Sequence, residues 1–169
     1  MERNERLILG IDPGFGRMGY AILAVAGNDL HLLACDAIMT PVALSYPRRL
    51  QQIYEQLGEI IAQYRPAEAA IEALFFGKNV TTAIAVAQAR GIAILTLAQR
   101  ELSITEYTPS AVKLAVAGYG AARKEQVGSM VCQWLHLQAV PKPDDAADAA
   151  AIAICHAHML RPNVVGALK

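Results

Sequence analysis

The sequence predicts an α/β fold, a mixed five-stranded sheet with three strands in an antiparallel meander and two more parallel to the first, flanked by helices. Three observations carry this. Three apolar runs, at residues 7–12, 18–26 and 30–39, follow one another across short turns. Two shorter β-prone runs, at 68–73 and 104–108, then alternate with helical stretches, as parallel strands require. Finally, 169 residues with 54% hydrophobic content and no linker or repeat suit a single domain, 1–169, with residues 1–6 and 162–169 expected as flexible ends.

The first run, LILGID, stays apolar until Asp12, and Pro13-Gly14 then breaks the chain. Asp12 is thereby placed at the end of a core strand, facing an open sheet edge; a plainer role, bonding turn N–H groups ahead of Pro-Gly, is open to it from this stretch alone. The loop Ala26-Gly27-Asn28-Asp29 joins the second and third runs as a hairpin. Pro47 opens a helix with Leu50, Ile53, Leu57 and Ile60-Ile61 on one face, stopped before Pro66. In EAAIEA, at 68–73, Glu72 falls at the far end of a short strand. Asn79 is a cap for a helix over 80–98 that is apolar on nearly every face, and such a helix is expected to be buried on two sides, one of them against a second subunit. A strand at 104–108 leads to a helix from Pro109 to near Gly118, another helix spans 124–137, and Pro141 and Pro143 precede a last helix over 144–160.

This order makes the first strand central with the fourth parallel beside it. Asp12 and Glu72 then end neighbouring strands at one edge, where two carboxylates repel unless a cation lies between them. Three more acids follow in Asp144-Asp145-Ala146-Ala147-Asp148. On a helix Asp145 and Asp148 share a face, and Asp144 and Asp148 do so nearly as well. Asp is also favoured in a first helical turn for dipole reasons, which is an ordinary role for Asp144 and Asp145. Asp148 lies a turn further in, among Ala and Ile, where an unpaired charge is costly. A carboxylate set without clustered His or Cys selects a hard cation such as Mg²⁺ or Mn²⁺. His31 and His136 are isolated, while His156 and His158 stand two apart and diverge on a helix; all four are expected to be structural or solvent-facing.

Cys35, Cys132 and Cys155 have no ligand spacing and read as reduced core residues of a cytoplasmic protein. No signal peptide or membrane span is expected: 80–98 holds Gln88 and Arg90, and 146–160 is short and interrupted by Asp148, His156 and His158. Fifteen basic residues balance fifteen acidic ones. Four acids occupied by two divalent ions would leave a surface of about +4, so the zero sum does not exclude a nucleic-acid partner.

The set GIDPG, GY, IE followed by LFFGKN, QARG and DAADAAAIA strongly resembles the RuvC-type Holliday-junction resolvases, in order and spacing, from about residue 7 to 158. The resemblance implies a ribonuclease-H-like fold and a homodimer. It further implies Mg²⁺-dependent cleavage of four-way DNA junctions, with two ions per subunit and Mn²⁺ as a substitute. Paired symmetric nicks with ligatable ends, a role in recombination and repair, and cooperation with the RuvA–RuvB branch-migration complex are implied as well. It places the metal-binding and catalytic acids on Asp12, Glu72, Asp145 and Asp148, leaving Asp144 as an extra acid for a cap or a supporting contact. Phe75 is implied as a base-stacking residue, with Phe76 packed beneath it. Lys113 and Lys124 match basic positions used against phosphates, and Lys124 would also stabilise transition-state charge. Arg123 and Lys78 add to the same field, with Arg17, Arg48 and Arg49 as weaker candidates.

Other functions are disfavoured by the same stretches. Residues 14–19 satisfy G-x-G-x-x-G, but a strand rather than a helix follows, so no nucleotide cofactor is expected. A sugar-kinase-like ATPase needs a duplicated domain, and a module that only binds junctions need not keep all four acids. A nuclease for RNA–DNA hybrids is the nearest competitor. Phe15, Phe75 and Phe76 all lie just past acid-bearing strands, an unusual place for every Phe of a chain, and one suited to stacking on bases at a DNA-facing edge.

Overall fold

The computed structural model describes residues 5–74 and 80–160. Its elements run β1 (Arg6–Asp12), β2 (Arg17–Ala26), β3 (Asp29–Met39), α1 (Tyr46–Tyr64), β4 (Glu68–Glu72), α2 (Val80–Ala98), β5 (Ser103–Tyr107), α3 (Pro109–Ala117), α4 (Lys124–Leu135) and α5 (Asp144–Met159). The sheet order is β3-β2-β1-β4-β5, with β1 antiparallel to β2 and parallel to β4, the arrangement expected from the sequence.

Local chemistry accounts for most boundaries. Gly27, at φ +65°, closes the β2–β3 hairpin. Thr108 Oγ1 accepts the Ala111 N–H at 3.2 Å and so caps α3, whose first residue is Pro109. Pro47 lies in the first turn of α1, and Arg65 in the left-handed region ends that helix just before Pro66. His136 caps α4 in the same way, so that the helix stops at Leu135, two residues before the expected end at 137. Asn79, the expected cap of α2, lies outside the described residues.

Strand alternation sorts the core into two layers. Leu9 and Ile11 of β1, with Ala69 and Ile71 of β4, pack against Ile53 and Leu57 of α1 and Ala93 and Leu97 of α2. Ile8 and Ala70 face the other way, onto Val112, Val131 and Ile152 of α3, α4 and α5. The central part of α5 is buried without a break from Ala149 to Ala157. By contrast α2 leaves Ile84, Gln88, Gly91, Leu95 and Ala98 exposed along one side within a single chain. Of the cysteines, Cys155 is buried and Cys35 and Cys132 are half-buried, all three as free thiols.

Candidate active site

Two-residue alternation decides where the carboxylates go. Gly10 and Asp12 of β1, and Ala70 and Glu72 of β4, share the sheet face that carries α5, and Ile11 is in register with Ile71. Asp12 and Glu72 thus end adjacent parallel strands on one face. The helix can approach because the strands beneath it carry glycine. A Cβ on Gly10 would lie 2.2 Å from the Ala149 carbonyl oxygen, and one on Gly19, the partner of Asp12 across β1–β2, 2.0 Å from that of Asp145. An isolated glycine in a strand pattern marks such close backbone approach, and that signal was present in the sequence at both positions.

Asp12, Glu72 and Asp148 line a cleft of about 240 Å³ together with Lys113, Lys124 and Val127. Burial, then the charges of Asp148, Glu72 and Asp145, push the Asp12 carboxyl up to about 8, against a lowering by Lys124. Burial and Asp148 raise Glu72 as well, while Lys113 pulls it down. Lys124 Nζ stands 3.0 Å from Asp148 Oδ2 and 3.6 Å from Asp144 Oδ2; the hydrogen bond to Asp148 is the main reason its ammonium is held above the usual lysine range.

Asp145 is placed differently. Its Oδ2 is buried in charge contact with Arg17 Nε at 3.0 Å, without a well-directed hydrogen bond. Asp144 does not cap α5, whose N-cap is Pro143; it is exposed and pairs with Lys142 at 2.7 Å, which lowers its carboxyl. Among the described residues, no three His, Cys, Asp or Glu side chains converge as a ready ligand set. Two of the acids are instead engaged in ion pairs, Asp145 with Arg17 and Asp148 with Lys124. The donor set still fits a hard dication in chemistry. It is all oxygen, it includes a buried carboxylate oxygen lacking a directed bond, and it penalises ionisation of Asp12 through three like charges.

The remaining expected residues are distributed as follows. The Arg123 side chain is exposed, while the Arg123 backbone N–H donates to Gln126 Oε1 at 2.9 Å at the start of α4. Phe75, Phe76 and Lys78 lie outside the described residues. Phe15 is half-buried rather than free to stack on a base. Its ring lies 4.4 Å from that of Tyr46, Arg49 sits 4.0 Å above it, and Thr40 bonds its carbonyl. The histidines are structural or solvent-facing as expected, with His156 buried between Tyr107 and Glu68, at 2.9 Å each, and His158 against Trp134. Sequence reasoning missed Arg90, a polar residue on an apolar helix, whose Nε donates to the Glu72 carbonyl at 3.1 Å.

The family model for crossover junction endodeoxyribonuclease RuvC matches residues 8–156. The chain belongs to the RuvC family. A RuvC from Heliobacterium modesticaldum is 54% identical over 154 residues, covering 91% of this chain and 95% of the relative, and one from Chloroflexus aurantiacus is 53% identical over 150 residues, covering 89% and 92%. Among solved structures, Thermus thermophilus RuvC in complex with a Holliday junction substrate superposes with a TM-score of 0.86 at 32% identity, covering 91% of this chain and 94% of that one. The five-stranded mixed sheet with its flanking helices is therefore the ribonuclease-H-like fold of RuvC. Among the described residues no helix is long and apolar enough to cross a membrane.

Proposed function

We propose that this chain is an endonuclease that resolves four-way DNA junctions by paired, divalent-metal-dependent hydrolysis, acting as a homodimer. One observation carries the reading: Asp12, Glu72 and Asp148 meet in a cleft that also holds Lys113 and Lys124, in a chain of the RuvC family. A cleft lined by both carboxylates and ammonium groups suits a phosphodiester held against a cation site.

Asp12, Glu72, Asp145 and Asp148 are the residues that would hold Mg²⁺, two ions per subunit, with Mn²⁺ able to replace it. Such ions supply an activated water and neutralise charge on the departing 3′ oxygen. Lys124, beside Asp148, offsets the negative charge that accumulates on the transferred phosphate. Lys113 and the outward-facing Arg123 hold flanking phosphates, and Lys78 joins them from the segment before α2. Phase and position of the cut strand fall to Phe75, which stacks on an exposed base. Asp144 stays outside the ligand set.

Two intact duplexes result only when strands related by symmetry are both nicked, so two chains must present their sites about a two-fold axis. The exposed side of α2 supplies the seam. Cooperation with a RuvA–RuvB complex and action in the cytoplasm complete the reading. The experiment is cleavage of a mobile four-way junction, plain duplex and RNA–DNA hybrid in parallel with Mg²⁺. Paired nicks confined to the junction are expected; preferential cutting of the hybrid, or no Mg²⁺-dependent cutting, overturns the proposal.

A further inference from the structure

Glu72 has a main-chain problem at the place where its side chain is to act. Ala73 turns its N–H to β5, donating to the Tyr107 carbonyl at 2.8 Å. The Glu72 carbonyl belongs to the same trans peptide and so points the opposite way, toward β1. There the chain has passed from Asp12 to Pro13, which has no N–H to donate. The ladder therefore cannot satisfy this oxygen, and Arg90 of α2 does so instead, Nε to O at 3.1 Å. The other arm of its guanidinium, Nη2, is in charge contact with Glu106 Oε2 of β5 at 2.6 Å, without a well-directed hydrogen bond, and the side chain is only 14% exposed.

We infer that Arg90 is a positioning residue for the nuclease site, clamping the end of β4 between α2 and β5 so that Glu72 is held at the cleft beside Asp12. The role rests on the proposed metal-dependent reading of that cleft. Arg90 acts through the backbone, since its Nε donates to the Glu72 carbonyl and its Nη2 faces Glu106 of β5. A planar fork is needed to bridge a carbonyl and a carboxylate at once, and lysine does not provide one. The arginine of QARG thus supplies the bond that the proline of GIDPG withholds.

The test is Mn²⁺ binding to the protein alone, by calorimetric titration with MnCl₂, for wild type, Arg90→Gln, Arg90→Lys and Glu106→Gln. Junction binding in EDTA and nicking are measured beside it. Both Arg90 variants are expected to bind Mn²⁺ at least tenfold more weakly while binding the junction within twofold of wild type. Glu106→Gln keeps the Nε bond and should weaken Mn²⁺ several-fold. Leu97→Ala, a core truncation in the same helix, controls for general loosening and should leave Mn²⁺ affinity unchanged. Mn²⁺ affinity within twofold of wild type in the Arg90 variants overturns the inference, as does an equal loss in Leu97→Ala. Should Arg90→Gln and Arg90→Lys not fold, Glu106→Gln decides alone, and unchanged affinity there counts against it. A wild type that neither binds Mn²⁺ nor nicks the junction would instead bring down the proposed function itself.

Discussion

Gly19 lies directly against Asp145: the Asp145 carbonyl oxygen is 2.0 Å from where a Cβ on Gly19 would be. Since Gly19 is paired with Asp12 across the β1–β2 ladder, this contact sets how close the N-terminal turn of α5 comes to the end of β1. Gly19→Ala must therefore push the first turn of α5 away or twist β2. Overpacking of this kind costs about 1–3 kcal/mol. A folded protein with a lower melting temperature and at least tenfold slower junction cleavage is the expected outcome. Wild-type cleavage by Gly19→Ala would show that the spacing of α5 is not critical.

The four proposed ligand acids separate from Asp144 by the same logic. Asp12→Asn, Glu72→Gln, Asp145→Asn and Asp148→Asn should each abolish nicking and leave junction binding intact or tighter, because repulsion toward phosphate falls. Asp144→Asn should remain active, since that carboxylate is exposed and bonded to Lys142. Gel-shift and nicking assays on the five variants check both halves. A dead Asp144 variant would mean that Asp144, and not Asp145, joins Asp148 in the ligand set.

Much of this arrangement is legible in the sequence. Period-two alternation places Asp12 and Glu72 on one face, and the run of small residues after Asp148 marks a helix able to lie close on the sheet. What the sequence conceals is long-range pairing. Nothing local joins Arg17 to Asp145, or Arg90 to the Glu72 carbonyl, because each pair is brought together only by the crossing of separate elements. Phe15 resists for the same reason. Its position after Asp12 suggests a free ring, yet Tyr46 and Arg49 of α1 enclose it. Composition is equally silent on direction: α2 reads as apolar all round, and packing against α1 determines which side is left over.

The raised Asp12 carboxyl gives a pH dependence with a definite sign. With its carboxyl moved from 3.8 to about 8, Asp12 in the folded protein keeps a proton that the unfolded chain has already released. Between those values the native state binds more protons, so this group's contribution to stability falls as pH rises and is fully unfavourable above about 8. In EDTA, Asp12→Asn should melt higher than wild type at pH 8–9, and the difference should vanish toward pH 4. Cation binding must displace that proton, so the Mg²⁺ concentration for half-maximal cutting should drop from pH 6 to pH 8.5. Parallel melting curves for the two proteins across the range would remove the burial and charge argument for Asp12.

Lys113 and Lys124 are distinguished from ordinary surface lysines by salt. Each phosphate contact removed lowers the slope of log affinity against log salt by about 0.9 on duplex DNA. Lys113→Ala and Lys124→Ala should show that flattening and slower cutting, with Lys124→Ala the slower because it also pairs with Asp148. Phe75→Ala should lose cutting far more than binding, as a stacked base contributes only about 1–3 kcal/mol. An unchanged salt slope would return the lysine concerned to the solvated surface, and an unfolded Phe75→Ala would mark that ring as core.

The last prediction concerns how two cuts become one event. On α2 the exposed residues Ile84, Gln88, Gly91 and Leu95 recur at steps of four, three and four, which puts them on one side of the helix. Ile84 is 52% and Leu95 48% exposed, and a Cβ on Gly91 would meet nothing within 4 Å. A face with apolar ends and a bare glycine at its middle lets two such helices cross closely about a two-fold axis. Ala87, half-buried beside that stripe, is a poorer position for a charge than Ile84 or Leu95. Ile84→Glu and Leu95→Glu should give folded monomers that nick a junction singly and no longer in pairs. Sedimentation of wild type at micromolar concentration should give a dimer. A wild-type monomer that still cuts both strands in concert would show that coupling does not pass through α2.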